Sequence, residues 1–320
     1  MTEPSAPDFL IDLARQARIP DELTAAGRQA RFGDLMDLDP GRGQLWRADW
    51  DDTSVLVLLL EIGISEVSVV PITIDPSAED EHSFVLAPVA SALGVDATVW
   101  MGLQGTLPTR VLDGIVDQLA DDVVDALERA EMRPDNEGRF LIRRGESIRS
   151  EFDAAAEVRA EIADDLEFLR SSPALPVQKE GQRARPLAEL LKGHVDLPAL
   201  KTALQPFGLT QADVMGILRG TKPITFDQIP VIAETTGLPS EVVSEAVQPL
   251  PLDLAAEAER PRYRQAWREL AEQESVDETT ARLNGAYGAF ALAARQTGAG
   301  SPRWAERLDQ YILGRRAGRA

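Results

Sequence analysis

The sequence predicts an α+β chain: a small N-terminal β-barrel-like domain with flanking helices, then an all-α helix-turn-helix domain and a helical tail. Three observations carry this. Between residues 43 and 101 the chain runs through short apolar stretches separated by Asp, Gly and Ser, the punctuation of short strands. Beyond residue 110 apolar residues recur three and four apart, the spacing of helices. Leu209 to Pro239 then reads as a short helix, a Gly-centred turn and a second helix, preceded by an amphipathic helix from Leu197 to Gln205.

Residues 1–40 form an N-terminal helical segment. Phe9, Leu10, Leu13, Ala14 and Ala17 keep helical spacing within 8–36, and Pro20 interrupts it. Residues 41–132 form the β-domain. Gln44-Leu-Trp-Arg-Ala-Asp-Trp, Ser54-Val-Leu-Val-Leu-Leu-Leu-Glu-Ile and Glu66-Val-Ser-Val-Val-Pro-Ile-Thr-Ile are strands, and Phe84-Val-Leu-Ala-Pro-Val and Ala97-Thr-Val-Trp-Met add two more. Strands so short and closely spaced suit a strongly bent sheet or barrel. Residues 111–130 read as a helix, with Leu112, Ile115, Val116, Leu119, Val123 and Leu127 on one stripe. Residues 133–186 hold an acidic helix over 146–169 between two linkers, 133–145 and 171–182. Residues 187–250 make the helix-turn-helix domain, and 251–320 a tail with helices near 253–273, 276–297 and 302–314.

Composition narrows the chemistry. There is no Cys, which removes disulfides, thiolate metal sites and thiol nucleophiles, and two histidines, His82 and His194, leave little for zinc sites or triads. Glu79-Asp-Glu-His82 has metal-ligand residue types, but consecutive positions do not converge on one ion, so it reads as a solvated loop. No cofactor and no metal are expected. No apolar run approaches the ~18 residues of a membrane span. The N-terminus carries acid where a secretory signal carries base, so a cytoplasmic location without membrane contact is expected. The net charge of −20 is uneven: the acidic excess precedes residue 193, and the last third is nearly neutral. That excess repels nucleic acid from the N-terminal part.

The segment from Leu197 to Thr236 offers the most specific mechanism. Leu200, Ala203 and Leu204 stripe its first helix, Gly208 supplies a turn, and the Thr210 hydroxyl can accept an amide hydrogen near Ala212 or Asp213. Val214, Ile217 and Leu218 face inward. Gln211, Ala212, Met215 and Arg219 are left outward, with Thr221 and Lys222 on the following loop. Pro223 stops the helix, and Thr225 can cap the next one. Closing on Leu218-Arg-Gly-Thr-Lys-Pro-Ile-Thr, this stretch resembles the Cro and lambda-repressor superfamily, in particular its antitoxin-like members. The resemblance implies sequence-specific binding of double-stranded DNA, often as a homodimer. Gln211 and Arg219 would be base or phosphate contacts and Lys222 a phosphate contact, with Ala212, Met215 and Thr221 on the same surface. The turn carries Gln205-Pro-Phe where that family turns more tightly. Lys201, Arg260, Arg262 and Arg264 are accessory candidates. The last three alternate with Tyr263 and Trp267, which suits phosphate contact plus stacking, or a core aromatic pair flanked by ion-paired arginines.

In the N-terminal part, Gly43-Gln-Leu-Trp-Arg-Ala-Asp-Trp, Val55-Leu-Val-Leu, Val69-Val-Pro-Ile-Thr and Val99-Trp-Met-Gly-Leu-Gln-Gly-Thr-Leu-Pro-Thr-Arg-Val-Leu follow in an order that resembles the MazF/PemK-like toxins, small barrels that cleave RNA. Thr73, Thr106 and Arg110 fall on that family's pattern. Where the family carries its catalytic arginine, this chain reads Asp51-Asp-Thr-Ser. Two carboxylates there would repel the scissile phosphate, so the resemblance implies a non-catalytic domain used for partner contact or autoinhibition. The expected function is a DNA-binding transcriptional regulator of antitoxin-like type, with double-stranded DNA and a protein partner or second copy as its partners. Two alternatives stand beside it: an adaptor or antitoxin that does not bind DNA, and a MazF-like endoribonuclease.

Overall fold

A computed structural model describes residues 20–34, 38–75, 78–132, 142–148, 153–177, 185–191, 196–220, 224–225, 228–244, 246–247, 249–294 and 303–317. It is a mixed α+β chain of two compact units, Met1–Ser172 and Pro173–Ala320.

In the first unit a helix, α1 (Ala25–Phe32), precedes seven strands: β1 (Gln44–Trp50), β2 (Thr53–Ile62), β3 (Glu66–Thr73), β4 (Phe84–Leu86), β5 (Ala97–Val99), β6 (Gly105–Pro108) and β7 (Leu112–Gln118). Helix α2 (Asp121–Met132), strand β8 (Ile142–Arg144) and helix α3 (Ala154–Arg170) complete it. The strands form an open antiparallel sheet in the order β7-β1-β2-β3-β5-β4-β8, with β6 also on β3. Asp51 and Asp52 are the two-residue loop of the β1–β2 hairpin, and Asp51 takes φ +48°, a left-handed conformation that Asp tolerates.

The far edge of β3 pairs with β6 over Glu66–Val69 and with β5 over Ile72–Thr73. Pro71 sits at the switch. Its carbonyl accepts from Trp100 N, and a residue's N–H points to the same side of a strand as its C=O, so the missing N–H falls between the two ladders. From β6 a single 3-10 turn, Thr109–Val111, leads into β7 on the opposite side of β1. In a flat sheet those two strands would lie roughly 19 Å apart, at four spacings of ~4.8 Å. One short turn bridges them because the sheet is curled.

Both faces of this sheet are covered, which is why β2 and β3 read as nearly continuous apolar runs. Val55, Val57 and Leu59 share a core with Trp46, Trp100 and the α3 residues Ile162, Leu166 and Leu169. Leu58 and Leu60, one residue out of phase, join Val70, Ile72 and the α2 residues Val123, Val124 and Leu127.

The helix expected over 111–130 begins only at Asp121, and Leu112–Gln118 is strand β7. The cause is visible in the register with β1. Ala48 faces Leu112, Trp46 faces Ile115 and Leu45 faces Asp117, so Asp113 and Val116 are extra residues at two bulges. Bulges break the period of two, and the buried apolar positions 112, 115 and 119 then imitate helical spacing. Residues 142–144, expected within a linker, pair with β4 as an edge strand. The acidic helix starts at Ala154 rather than near 146, where the Asp153 side chain caps it by accepting from Ala155 N.

In the second unit five short helices follow one another: α4 (Leu187–Leu190), α5 (Leu197–Leu204), α6 (Gln211–Leu218), α7 (Gln228–Thr236) and α8 (Ser240–Ser244). Their core is Leu187, Leu200, Leu204, Val214, Ile217, Leu218, Ile229, Ile232 and Val243, with others around them. Four further helices, α9 (Leu252–Ala258), α10 (Pro261–Glu274), α11 (Glu278–Ala294) and α12 (Trp304–Ala317), close around a separate core. The helix expected over 253–273 is two helices, because Pro261 cannot continue α9 and instead starts α10. Leu175, ahead of α4, belongs to this second core, and its N–H donates to Glu259 Oε1 at 2.9 Å. Leu250 N donates to Pro176 O at 2.7 Å, and Val177 bridges Leu250 in parallel. The chain segments before α4 and after α8 are thereby stapled side by side, so the five-helix segment is an insert whose two ends meet.

No helix among the described residues is long and apolar enough to cross a membrane.

Candidate nucleic-acid interface

α6 is short, and its N-terminus is fixed by a reciprocal cap. Asp213 N donates to Thr210 Oγ1 at 3.2 Å, and Asp213 Oδ2 accepts from Thr210 N at 2.8 Å and Thr210 Oγ1 at 2.6 Å. At the other end Gly220 adopts φ +69°, the left-handed conformation that closes a helix cheaply only as glycine. Gly208, φ +68°, makes the turn from α5, reached through the 3-10 turn Gln205–Phe207. Gln205-Pro-Phe therefore lengthens the turn by one tight coil and leaves α5 and α6 in a shared core.

Burying Val214, Ile217 and Leu218 leaves Gln211, Ala212 and Arg219 exposed and Met215 half-buried. Positions 211, 215 and 219 recur every four residues and so lie on one face. The only acid in α6, Asp213, is turned back into the cap, which leaves the outward positions neutral or cationic. Lys201 is exposed on α5. Thr221 and Lys222 lie outside the described residues. Replacing Thr210 by Ala should cost about 1 kcal/mol through the lost cap, and Thr210→Ser should retain most of it, as thermal denaturation would read.

One exposed cation near α6 was not anticipated from sequence. Arg185 directly precedes Pro186, and Pro186 packs on Gly220 at the end of α6.

The accessory arginines are used for packing within their own unit. Arg264 is buried on α10 and pairs with Glu278 of α11 at 3.3 Å, and Arg268 meets the same carboxylate at 3.2 Å. Arg260 and Arg262 both pair with Glu257, at 3.1 and 2.5 Å. Arg262 also lies over the Tyr263 ring, 4.6 Å from its centroid. Tyr263 and Trp267 are core residues with ring centroids 5.9 Å apart, and burial holds the Tyr263 hydroxyl above its ordinary range.

The three toxin-pattern residues do not converge. Thr73 ends β3, with its Oγ1 accepting from Trp100 Nε1 at 3.0 Å. Thr106 is exposed on β6 opposite Ser68, five residues from Thr73 along β3, which is roughly 17 Å of extended chain. Arg110 is buried, donating through Nε to Ser172 Oγ at 3.1 Å and through Nη2 to Ser172 O at 2.6 Å. It clamps the end of α3 to the 3-10 turn. Between Arg47 and Arg110 the sequence has no Lys or Arg, and Arg47 itself pairs with Asp113. The tight β1–β2 turn at Asp51 and Asp52 has no loop in which a catalytic arginine could stand.

The Glu79–His82 loop is also committed elsewhere. Glu79 takes the Arg143 guanidinium at 2.6 and 3.1 Å, while buried Asp80 takes Arg159 Nε at 3.1 Å. Among the described residues no group of three His, Cys, Asp or Glu side chains could hold a metal ion.

No protein-family model and no curated protein matches the chain, so its function is read from its own residues.

Proposed function

We propose that the protein is a DNA-binding transcriptional regulator of antitoxin-like type, contacting double-stranded DNA through the outward face of α6. The supporting observation is the arrangement of that helix: capped at both ends, anchored on α5 and α7 through a common core, and presenting Gln211, Ala212, Met215 and Arg219 with its one acid folded away. Gln and Arg are the side chains that pair bidentately with base edges, and Ala and Met can pack on a thymine methyl. Arg219 and, by its place in the sequence, Lys222 supply the phosphate charge.

The curled sheet of the first unit, with β6 running into β7, supports kinship with small toxin-like barrels as a fold. The buried Arg110 and the separation of Thr73 from Thr106 speak for partner contact or autoinhibition rather than RNA cleavage. The adaptor reading draws on the acidic excess and on the few cations of the five-helix segment.

An anisotropy titration of the full-length protein against its own promoter and a scrambled duplex separates these. Promoter-selective binding that weakens with salt is expected, with a loss of at least tenfold in the Arg219→Ala, Lys222→Ala double variant, about 1–3 kcal/mol for a base contact. Equal affinity of the double variant and the parent would assign the segment to a scaffold.

A further inference from the structure

We propose that Arg185 is a second phosphate-binding residue of this interface, so that Arg185 and Arg219 hold neighbouring phosphates of one DNA strand. The proposal rests on α6 being the DNA-contacting helix.

Its basis is a close approach between two segments that are distant in sequence. A Cβ added to Gly220 would lie 3.8 Å from Pro186 Cα and 3.9 Å from Pro186 Cβ and Cγ. Arg185 directly precedes Pro186, and Arg219 directly precedes Gly220. With ~3.8 Å between consecutive Cα atoms, their Cα atoms are at most about 13 Å apart. Both arginines are exposed.

The arrangement is held by the fold rather than by the arginines themselves. Gly220 closes α6 at φ +69°, Pro186 has a fixed φ, and Leu187, which follows it, is fully buried in the same core as Leu218. The two guanidinium groups are therefore presented on pre-set backbone. Arg suits this role because its planar fork matches phosphate oxygens bidentately, and a DNA strand offers a charge every ~3.4 Å along its axis. Arg185 already has an interaction within the chain, and because the residue is exposed a phosphate can displace it: an exposed ion pair is worth ~1 kcal/mol or less.

A phosphate contact lowers affinity for every duplex alike and changes the salt dependence, which a merely structural role does not. The test is an anisotropy titration of the full-length protein, wild type, Arg185→Ala, Arg185→Lys and Arg219→Ala, on the promoter and scrambled duplexes between 50 and 200 mM salt. Arg185→Ala should weaken both duplexes by the same factor and lower the salt slope by ~0.9, so that its deficit shrinks about 3.5-fold across that range. Arg185→Lys should keep the wild-type slope. A wild-type slope in Arg185→Ala, while Arg219→Ala still lowers it, overturns the role of Arg185 and leaves α6 in place. Wild-type protein that binds neither duplex overturns both.

Discussion

Replacing Trp267 by Ala should cost the second unit about 3–5 kcal/mol, enough to unfold a domain of ordinary stability. Trp267 is 1% exposed at the centre of the α9–α12 core, and its Nε1 donates to Ala258 O at 2.9 Å. That bond ties the end of α9 to α10. Its ring rests on Gly285 of α11, where an added Cβ would fall 2.4 Å from Cζ3. Removing the indole therefore opens a cavity, leaves a buried carbonyl without its donor, and strips the contact that brings α10 and α11 together. The neighbouring Gly288 repeats the device, its place for a Cβ lying 2.1 Å from Tyr311 of α12. Small residues on α11 admit large rings from its neighbours, so the surrounding backbone has little freedom to collapse into the gap. Calorimetry of the full chain should show one transition lost or strongly lowered. An unchanged thermogram would mean that Trp267 does not organise this core.

Asp117→Ala should cost about 3 kcal/mol, from the first unit. Asp117 is 1% exposed on β7, although it carries a charge. Its carboxylate pairs with Arg31 of α1, accepts from Ala92 N at 2.6 Å, and accepts from its neighbour Gln118 N at 2.8 Å. One side chain thus pins α1 and the 88–94 loop to the end strand of the sheet, assisted by Arg28 Nη1 donating to Ile115 O at 3.2 Å. Truncating a buried ion-pair partner costs ~3–5 kcal/mol because the groups left behind lose their partner. The lower end applies because Arg31 is 30% exposed and can be rehydrated. By the same reasoning Arg31→Ala, which strands the carboxylate inside, should cost at least as much, and Asp117→Asn should recover part by keeping an acceptor for Ala92 N. Urea unfolding of the three variants orders these effects, and amide exchange over 25–32 should rise in each. Protection of α1 unchanged in Asp117→Ala would show that the pair does not hold it.

The burial of Asp117 was not legible in the sequence. Asp117 falls off the apolar stripe of the helix that the sequence predicts over 111–130, because two bulges give β7 a helical spacing of apolar positions. Its burial follows only once β7 lies against β1 and α1 lies across it. Trp267 was legible as one of a core pair with Tyr263, since four residues on a helix bring two rings to one side. Its fit to Gly285 required the helices to be packed. Similarly, Gln211, Met215 and Arg219 could be placed outward from the positions of Val214, Ile217 and Leu218, whereas Arg185 could not be joined to them. Its approach to Gly220 is a contact between the two ends of the segment 185–220.

What the sequence determined by itself is what depends on local order. The β1–β3 strands, the Thr210 cap, the left-handed glycine turn and the outward face of α6 all follow from neighbours within a few residues, where backbone sterics and side-chain period decide the outcome. The tertiary structure alone decided that the sheet is curled and covered on both faces, that Arg110 and Arg264 are internal clamps, and that the five-helix segment returns to its own starting point. Those outcomes depend on which distant surfaces meet. Burial, ion pairing and close backbone approach are properties of such meetings, and the period of a single segment carries no record of its partner.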